Sequence, residues 1–218
     1  MMLAWNSFTP FRVISFLVIF VIVNIIVFMT LFSSNEMMPP PKNQAVKYLL
    51  GTKLGMVQFS CSRWLLEVFI NNKPVACGKT VPIKAFSENQ IGLSVKFSRA
   101  KIDSLYALMM VDPDAPNPDY PYNKCWLHWI IGNINGSGLR NGDLSTGETV
   151  VAYNPPTPPK GSGPHRYFLF LLEQPYDKTV FNHLSHQDRP HFNPDKFIEQ
   201  YNFSPAIGTS YFVTEDPK

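Results

Sequence analysis

A series of short apolar runs, each closed off by proline, glycine, asparagine or aspartate, constrains this chain more than any other feature. The runs Trp64–Ile70, Val75–Cys77, Leu93–Phe97, Tyr106–Val111, Trp126–Asn133, Val150–Tyr153, Arg166–Leu172 and Ser210–Val213 all have strand length. Twenty prolines against twelve glycines, with 14% aromatics, favour many short strands joined by stiff turns over a helical bundle. The pattern predicts an all-β sandwich. One helix is signalled near the end, where Asn193 can cap, Pro194 suits the first helical position and Phe197, Ile198 and Tyr201 supply an apolar side.

Two of the runs are apolar on both faces and carry a histidine. In Trp126–Ile131, strict alternation puts His128 with Trp126 and Ile130 on a buried face and Leu127 on the other. A buried imidazole needs a partner. After Pro164, residues 165, 167, 169 and 171 share a face, so His165 and Tyr167 adjoin at the start of that strand. Asp112 and Asp114 follow the run Tyr106–Val111, and Pro113 and Pro116 limit the backbone that holds their carboxylates at a strand end.

Acids on either side of a proline also serve simply to cap a turn. The histidines shift the reading, because an aspartate beside an imidazole orients the ring and favours its charged form, which donates to an anion. Carboxylates and the aromatic faces of Trp126, Tyr167 or a C-terminal tyrosine can in turn hold an ammonium, so a zwitterion such as phosphoethanolamine also fits. The loop T-P-P-K-G-S-G-P, Thr157 to Pro164, adds glycines that let backbone approach a ligand and a lysine, Lys160, that could shield phosphate. The same loop also reads as a plain proline-stiffened connection.

Other chemistries find less support. No G-x-S-x-G elbow, H-E-x-x-H, Walker loop or G-x-G-x-x-G occurs, and Gly161-Ser162-Gly163 lacks the elbow's spacing, so the chain is read as a non-enzyme needing no cofactor. His183, His186 and His191 with Asp188 resemble a metal cluster, but such a run is more often a solvated loop, and no metal is expected. A formal charge of +3 without a concentrated basic run gives no footprint for nucleic acid.

At 45% hydrophobic and 16% charged, 218 residues can bury one sizeable core. The N-terminus departs from that composition. After a flank at 1–12, Val13 to Phe32 is apolar except for Ser15, Asn24 and Thr30, and as a helix it would span about 30 Å, the thickness of a bilayer's hydrocarbon. Its exit, Thr30-Leu31-Phe32-Ser33-Ser34, is a poor cleavage site, so a transmembrane signal anchor fits better than a cleaved signal peptide. Either places the protein at the membrane, with its bulk on the extracellular or lumenal side, or among secreted proteins. Residues 33–44 read as a Pro-rich stalk and 45–218 as the folded domain.

In that compartment two of the three cysteines are expected to pair. Cys61 and Cys77 flank a hairpin whose turn is N-N-K-P, which makes a disulfide between them plausible, with two buried free thiols as the alternative. Cys125 reads as a small buried residue.

In order and spacing, D-P-D-A-P (Asp112 to Pro116), W-L-H (Trp126 to His128) and P-P-K-G-S-G-P-H-R-Y (Pro158 to Tyr167) resemble the phosphatidylethanolamine-binding protein family, which includes the Raf kinase inhibitor proteins and the plant flowering regulators. The resemblance runs from near Trp64 to near Val213. It implies an antiparallel β-sandwich with a few short helices, a cis peptide at Ala115–Pro116, and an anion pocket using Asp112, Pro116, Trp126, His128, Pro158, His165, Tyr167 and Tyr211. It also implies non-catalytic binding of a phosphate-bearing or anionic small ligand such as a phospholipid headgroup, with inhibition or modulation of a protease or kinase through a protein surface as the alternative. Cys61 and Cys77 resemble the cysteines of secreted members, which supports their pairing. Leu127 stands where many relatives have a second histidine and should face away from the pocket, whereas Thr157, in place of glycine, should narrow it.

Overall fold

The structure, a computed structural model, describes Cys61 and residues 66–86, 92–119, 125–175, 178–204 and 206–217. The segments 1–12, 13–32 and 33–44 lie outside the described residues, and among the described residues no helix is long and apolar enough to cross a membrane.

Two antiparallel sheets make up the domain. The smaller contains β1 (Glu67–Ile70), β2 (Lys73–Val75) and β3 (Leu93–Lys96) in the order β2-β1-β3. Asn71 and Asn72 both adopt positive φ, 52° and 61°, which is the two-residue hairpin geometry that asparagine tolerates. Because that turn takes only two residues, β2 begins at Lys73, earlier than the sequence suggested, and Pro74 sits on an edge strand where its missing N–H costs nothing. Cys61 and Cys77 close this hairpin as a disulfide, with Cα atoms 5.6 Å apart.

The larger sheet contains β4 (Leu105–Asp112), β5 (Trp126–Asn135), β6 (Glu148–Val151), β7 (His165–Glu173) and β8 (Gly208–Thr214), in the order β6-β5-β4-β7-β8. Strand β4 is central, and its sequence L-Y-A-L-M-M-V-D is apolar until its last residue. Both faces of it are buried. Ala107, Met109 and Val111 join Phe168, Phe170 and Leu172 of β7 in one core, which Phe181, Phe203 and the helix Pro194–Gln200 cover. Tyr106, Leu108 and Met110 join Tyr167, Leu169 and Leu171 in the other, against Val68, Ile70 and Val95 of the small sheet. Each of the fully buried aliphatic side chains contributes about 1.5–3 kcal/mol through removal from water. The outer edge of β8 is paired with the chain at residues 78–81, so it offers no bare edge.

A short helix, α1 (Gly136–Asn141), went unrecognised in the sequence. Its N-cap is Asn135, whose side chain accepts from Ser137 N–H, and it ends on Gly142 at φ 79°. The second helix, α2 (Pro194–Gln200), starts as the sequence indicated, with Asn193 accepting from the Lys196 N–H at 3.1 Å.

Strict alternation fails at His128. Met110 opposes Trp129 while Val111 opposes Leu127, so His128 is the extra residue of a β-bulge. Ile130 therefore does not share His128's face, as alternation predicted. It joins Leu127 in the helix-covered core, while the His128 ring meets Tyr167 edge-on at 5.1 Å on the opposite side.

Gly132 of β5 lies directly under Phe181, and a methyl group there would overlap the ring. Gly132→Ala is expected to destabilise the domain by about 1–3 kcal/mol through overpacking. Urea titration should show a lower midpoint with an unchanged slope.

Candidate functional site

Antiparallel pairing brings the end of β4 and the starts of β5 and β7 to one end of the large sheet. There a cavity of about 240 Å³ is lined by Asp112, Ala115, Pro116, Trp126, His128, Thr157, Pro158, Pro159, His165 and Tyr167. The Ala115–Pro116 peptide is cis. Of the residues expected at the pocket, only Tyr211 is absent from this wall. In β8 it lies opposite Phe168, so strand parity turns it to the other face, where it stacks on the Phe168 ring at 4.9 Å. Its neighbour Phe212, opposite Tyr167, stacks behind the Tyr167 ring at 5.4 Å instead.

Asp112 is the hub of the site. One carboxylate oxygen accepts from the Asp114 N–H at 2.7 Å, closing the turn, and the other meets His165 Nδ1 at 2.8 Å. Both side chains of that pair are almost wholly buried. Asp114 does not face the cavity; it accepts three hydrogen bonds from Arg166, two from the guanidinium (2.6 and 2.7 Å) and one from the main chain (3.0 Å). The D-P-D-A-P turn is thereby fastened to β7 by its second acid and presents its first.

His165 Nε2 lies 3.0 Å from Ser162 Oγ. Aspartate, histidine and serine thus stand in a line that the sequence had not revealed. Its polarity is the reverse of a nucleophilic triad. Ser162 gives its proton to the Pro159 carbonyl at 2.6 Å and not to the imidazole, whose other nitrogen faces the Asp112 carboxylate. Ser162 is also not among the cavity's lining residues.

His128 is held differently. Its Nδ1 donates to the Asn154 carbonyl at 2.8 Å, which leaves Nε2 as the ring's remaining polar atom at the cavity. Burial pushes the imidazole below its ordinary value; the Asp112 carboxylate and the Asn154 carbonyl pull the other way, while Arg189 and His165 add to the depression. Tyr167 is driven far above the usual phenol value by burial and then by Asp112 and Asp114, so its hydroxyl keeps its proton.

Arg189 is a site residue that sequence reading missed. It is 7% exposed, and its guanidinium donates to the carbonyls of Leu127 (2.9 Å), His128 (3.0 Å) and Ala152 (2.8 Å), fastening the bulge that aims His128. Nothing in Q-D-R-P-H could reveal this, because its partners are main-chain groups of distant strands. The three histidines of that region do separate things. His183 bonds the Thr149 carbonyl, His186 meets the edge of Trp126, and His191 adopts φ 58° in a turn. Asp188 closes a capping box with Ser185, and among the described residues no metal-binding cluster is formed.

Two outcomes are expected. Arg166→Ala strands the buried Asp114 charge and should cost about 3–5 kcal/mol, whereas Asp114→Asn combined with Arg166→Met should cost less than the sum of the single changes, as a double-mutant cycle would measure. The second concerns acid. A ring with a depressed folded-state pKa binds its proton more readily when unfolded, so below about pH 6.5 stability should fall as pH falls, until the folded ring also titrates. His128→Asn, which retains a donor for Asn154, should lack that component in thermal melts across the same range.

Residues 69–207, more than half of the chain, match the family model described as phosphatidylethanolamine-binding protein. TERMINAL FLOWER 1 of Arabidopsis thaliana is 29% identical over 75% of this chain and 87% of its own length. The 26 kDa secreted antigen of Toxocara canis is 34% identical over 69% of this chain and 56% of its own. Several of the curated relatives are matched over little more than half their length. Among solved structures, the phosphatidylethanolamine-binding protein from Plasmodium vivax shares the fold with a TM-score of 0.58 at 22% identity, covering 81% of this chain and 98% of that one. A carboxypeptidase Y inhibitor, solved in complex with its cognate proteinase, does so with a TM-score of 0.54 at 21% identity over 83% and 98%. The sandwich, the end-of-sheet cavity and the match over residues 69–207 agree, and the chain belongs to the phosphatidylethanolamine-binding protein family.

Proposed function

We propose that this protein binds a phosphate-bearing or anionic small ligand, such as a phosphatidylethanolamine headgroup, without chemical turnover. The observation that carries the reading is the wall of the cavity, where the Asp112–His165 pair, His128 and Tyr167 line one small space. Its volume, about 240 Å³, falls below the about 300–1,000 Å³ usual for small-molecule pockets. That suits a headgroup and leaves no room for acyl chains. Binding without turnover is supported by the orientation of Ser162, whose proton is committed to Pro159. Asp112 and the Trp126 face would take an ammonium, and Tyr167 and His128 the anion.

An N-terminal anchor or signal over residues 13–32 would place the domain on the extracellular or lumenal side, or release it. The disulfide between Cys61 and Cys77 is in keeping with an oxidising compartment. So is the secreted antigen among the relatives.

A second reading is an inhibitor or signalling modulator acting through a protein surface, since one protein of this fold is a carboxypeptidase inhibitor bound to its proteinase. Calorimetric titration of phosphoethanolamine into the full chain at neutral pH separates the two. Saturable binding is expected, lost in His165→Ala and weakened about threefold to tenfold in Tyr167→Phe, which removes one hydrogen bond while sparing the fold. Unchanged affinity in both variants would refute the site. Absence of binding by folded wild type would favour the protein-surface reading.

A further inference from the structure

Among the described residues, no lysine or arginine lines the cavity; Arg166 is held by Asp114 and Arg189 by three main-chain carbonyls. Lys160 is not among the lining residues. Two of the amides of its loop are spent as well. Gly161 N–H goes to the Asp216 carbonyl at 2.7 Å and Ser162 N–H to the Pro159 carbonyl at 3.0 Å, and Pro158 and Pro159 have none to give. The described wall therefore offers acceptors, the Asp112 carboxylate among them, and no lysine or arginine.

His128 is where that balance can change. With Nδ1–H donated to Asn154, Nε2 of the neutral ring accepts a hydrogen bond. The groups facing the ring are Asp112 from β4, His165 and Tyr167 from β7, Arg189 from the segment before α2, and the Asn154 carbonyl after β6. Burial opposes a charge on the ring and outweighs the Asp112 carboxylate and the Asn154 carbonyl, which favour one, while Tyr167 is neutral. Arg189, which has carbonyls and no carboxylate as its partners, adds to that opposition.

We propose that the cavity selects anions that bring a proton with them, above all a phosphomonoester in its singly charged form, whose P–OH donates to His128 Nε2. This rests on the anion-binding reading above and narrows it. A phosphomonoester has its second ionisation near about pH 6, so it still supplies a P–OH around neutrality. A phosphodiester, as in an intact phospholipid, and a sulfate have none to supply. For these the proton must go onto His128 itself, beside Arg189. The site is accordingly matched to free phosphomonoesters over lipid headgroups in their diester form.

The test is calorimetric titration of the full chain with methyl phosphate, dimethyl phosphate and sulfate, each in two buffers of different ionisation enthalpy. Near about pH 8, methyl phosphate should take up close to one proton on binding, and its affinity should rise about tenfold per unit as pH falls toward 6. At about pH 6, dimethyl phosphate and sulfate should bind at least about tenfold more weakly than methyl phosphate. Equal affinity for the monoester and the diester, or monoester binding without proton uptake near about pH 8, would overturn this inference while leaving an anion site standing. If none of the three probes binds at either pH, the anion-site reading falls and this inference with it.

Discussion

Burial of strand β4 on both faces is the constraint from which the rest follows. Its neighbours β5 and β7 hydrogen-bond both of its edges, and the small sheet and α2 cover its two faces. Water is excluded along its length, so a polar side chain at its end must find partners within the protein. Asp112 finds two, the Asp114 amide and the His165 ring. The site is the place where a fully apolar strand runs out and its last residue is solvated by other strands.

The same requirement explains why so many groups at the site are internally satisfied. Asp114 takes Arg166, Arg189 takes three carbonyls, Ser162 takes Pro159, and His128 takes Asn154. Each bond holds a loop or a bulge in position, and each removes a donor from those available to a ligand. A wall built in this way is rigid, and among the described residues no lysine or arginine lines it. Rigidity limits the ordering cost of binding, and a wall rich in acceptors makes the ligand's own protons matter. The aspartate, histidine and serine alignment shows how far direction decides chemistry. Distances alone would fit a nucleophile and its base, yet the serine proton points to a carbonyl.

Much of this was legible from residue order. Apolar runs bounded by turn residues located the strands, because a two-residue period and a proline or asparagine boundary are local properties. Several strands extend a residue or two beyond the apolar run; β4 includes Asp112 and β7 begins at His165, since pairing with a neighbour continues where hydrophobicity stops. The helix α1 was missed because G-S-G-L-R-N has poor helical propensity and forms through the Asn135 cap and burial of Leu139. Parity placed His165 beside Tyr167 correctly. It failed at Ile130, because a bulge is set by the partner strand's register and leaves no trace in the run W-L-H-W-I-I.

The sequence by itself determined the fold class, the central strands, a hairpin turning within N-N-K-P and the identity of the residues able to form a polar pocket. Those are consequences of local period, turn chemistry and side-chain type. Only the tertiary structure decided which atoms remain available in that pocket. It turned Tyr211 away by register, brought Arg189 beneath the bulge, and committed both nitrogens of His165 while leaving one of His128. Hydrogen bonds between distant strands and main-chain carbonyls have no sequence signature, because every residue carries the same carbonyl and only the fold chooses which one is met.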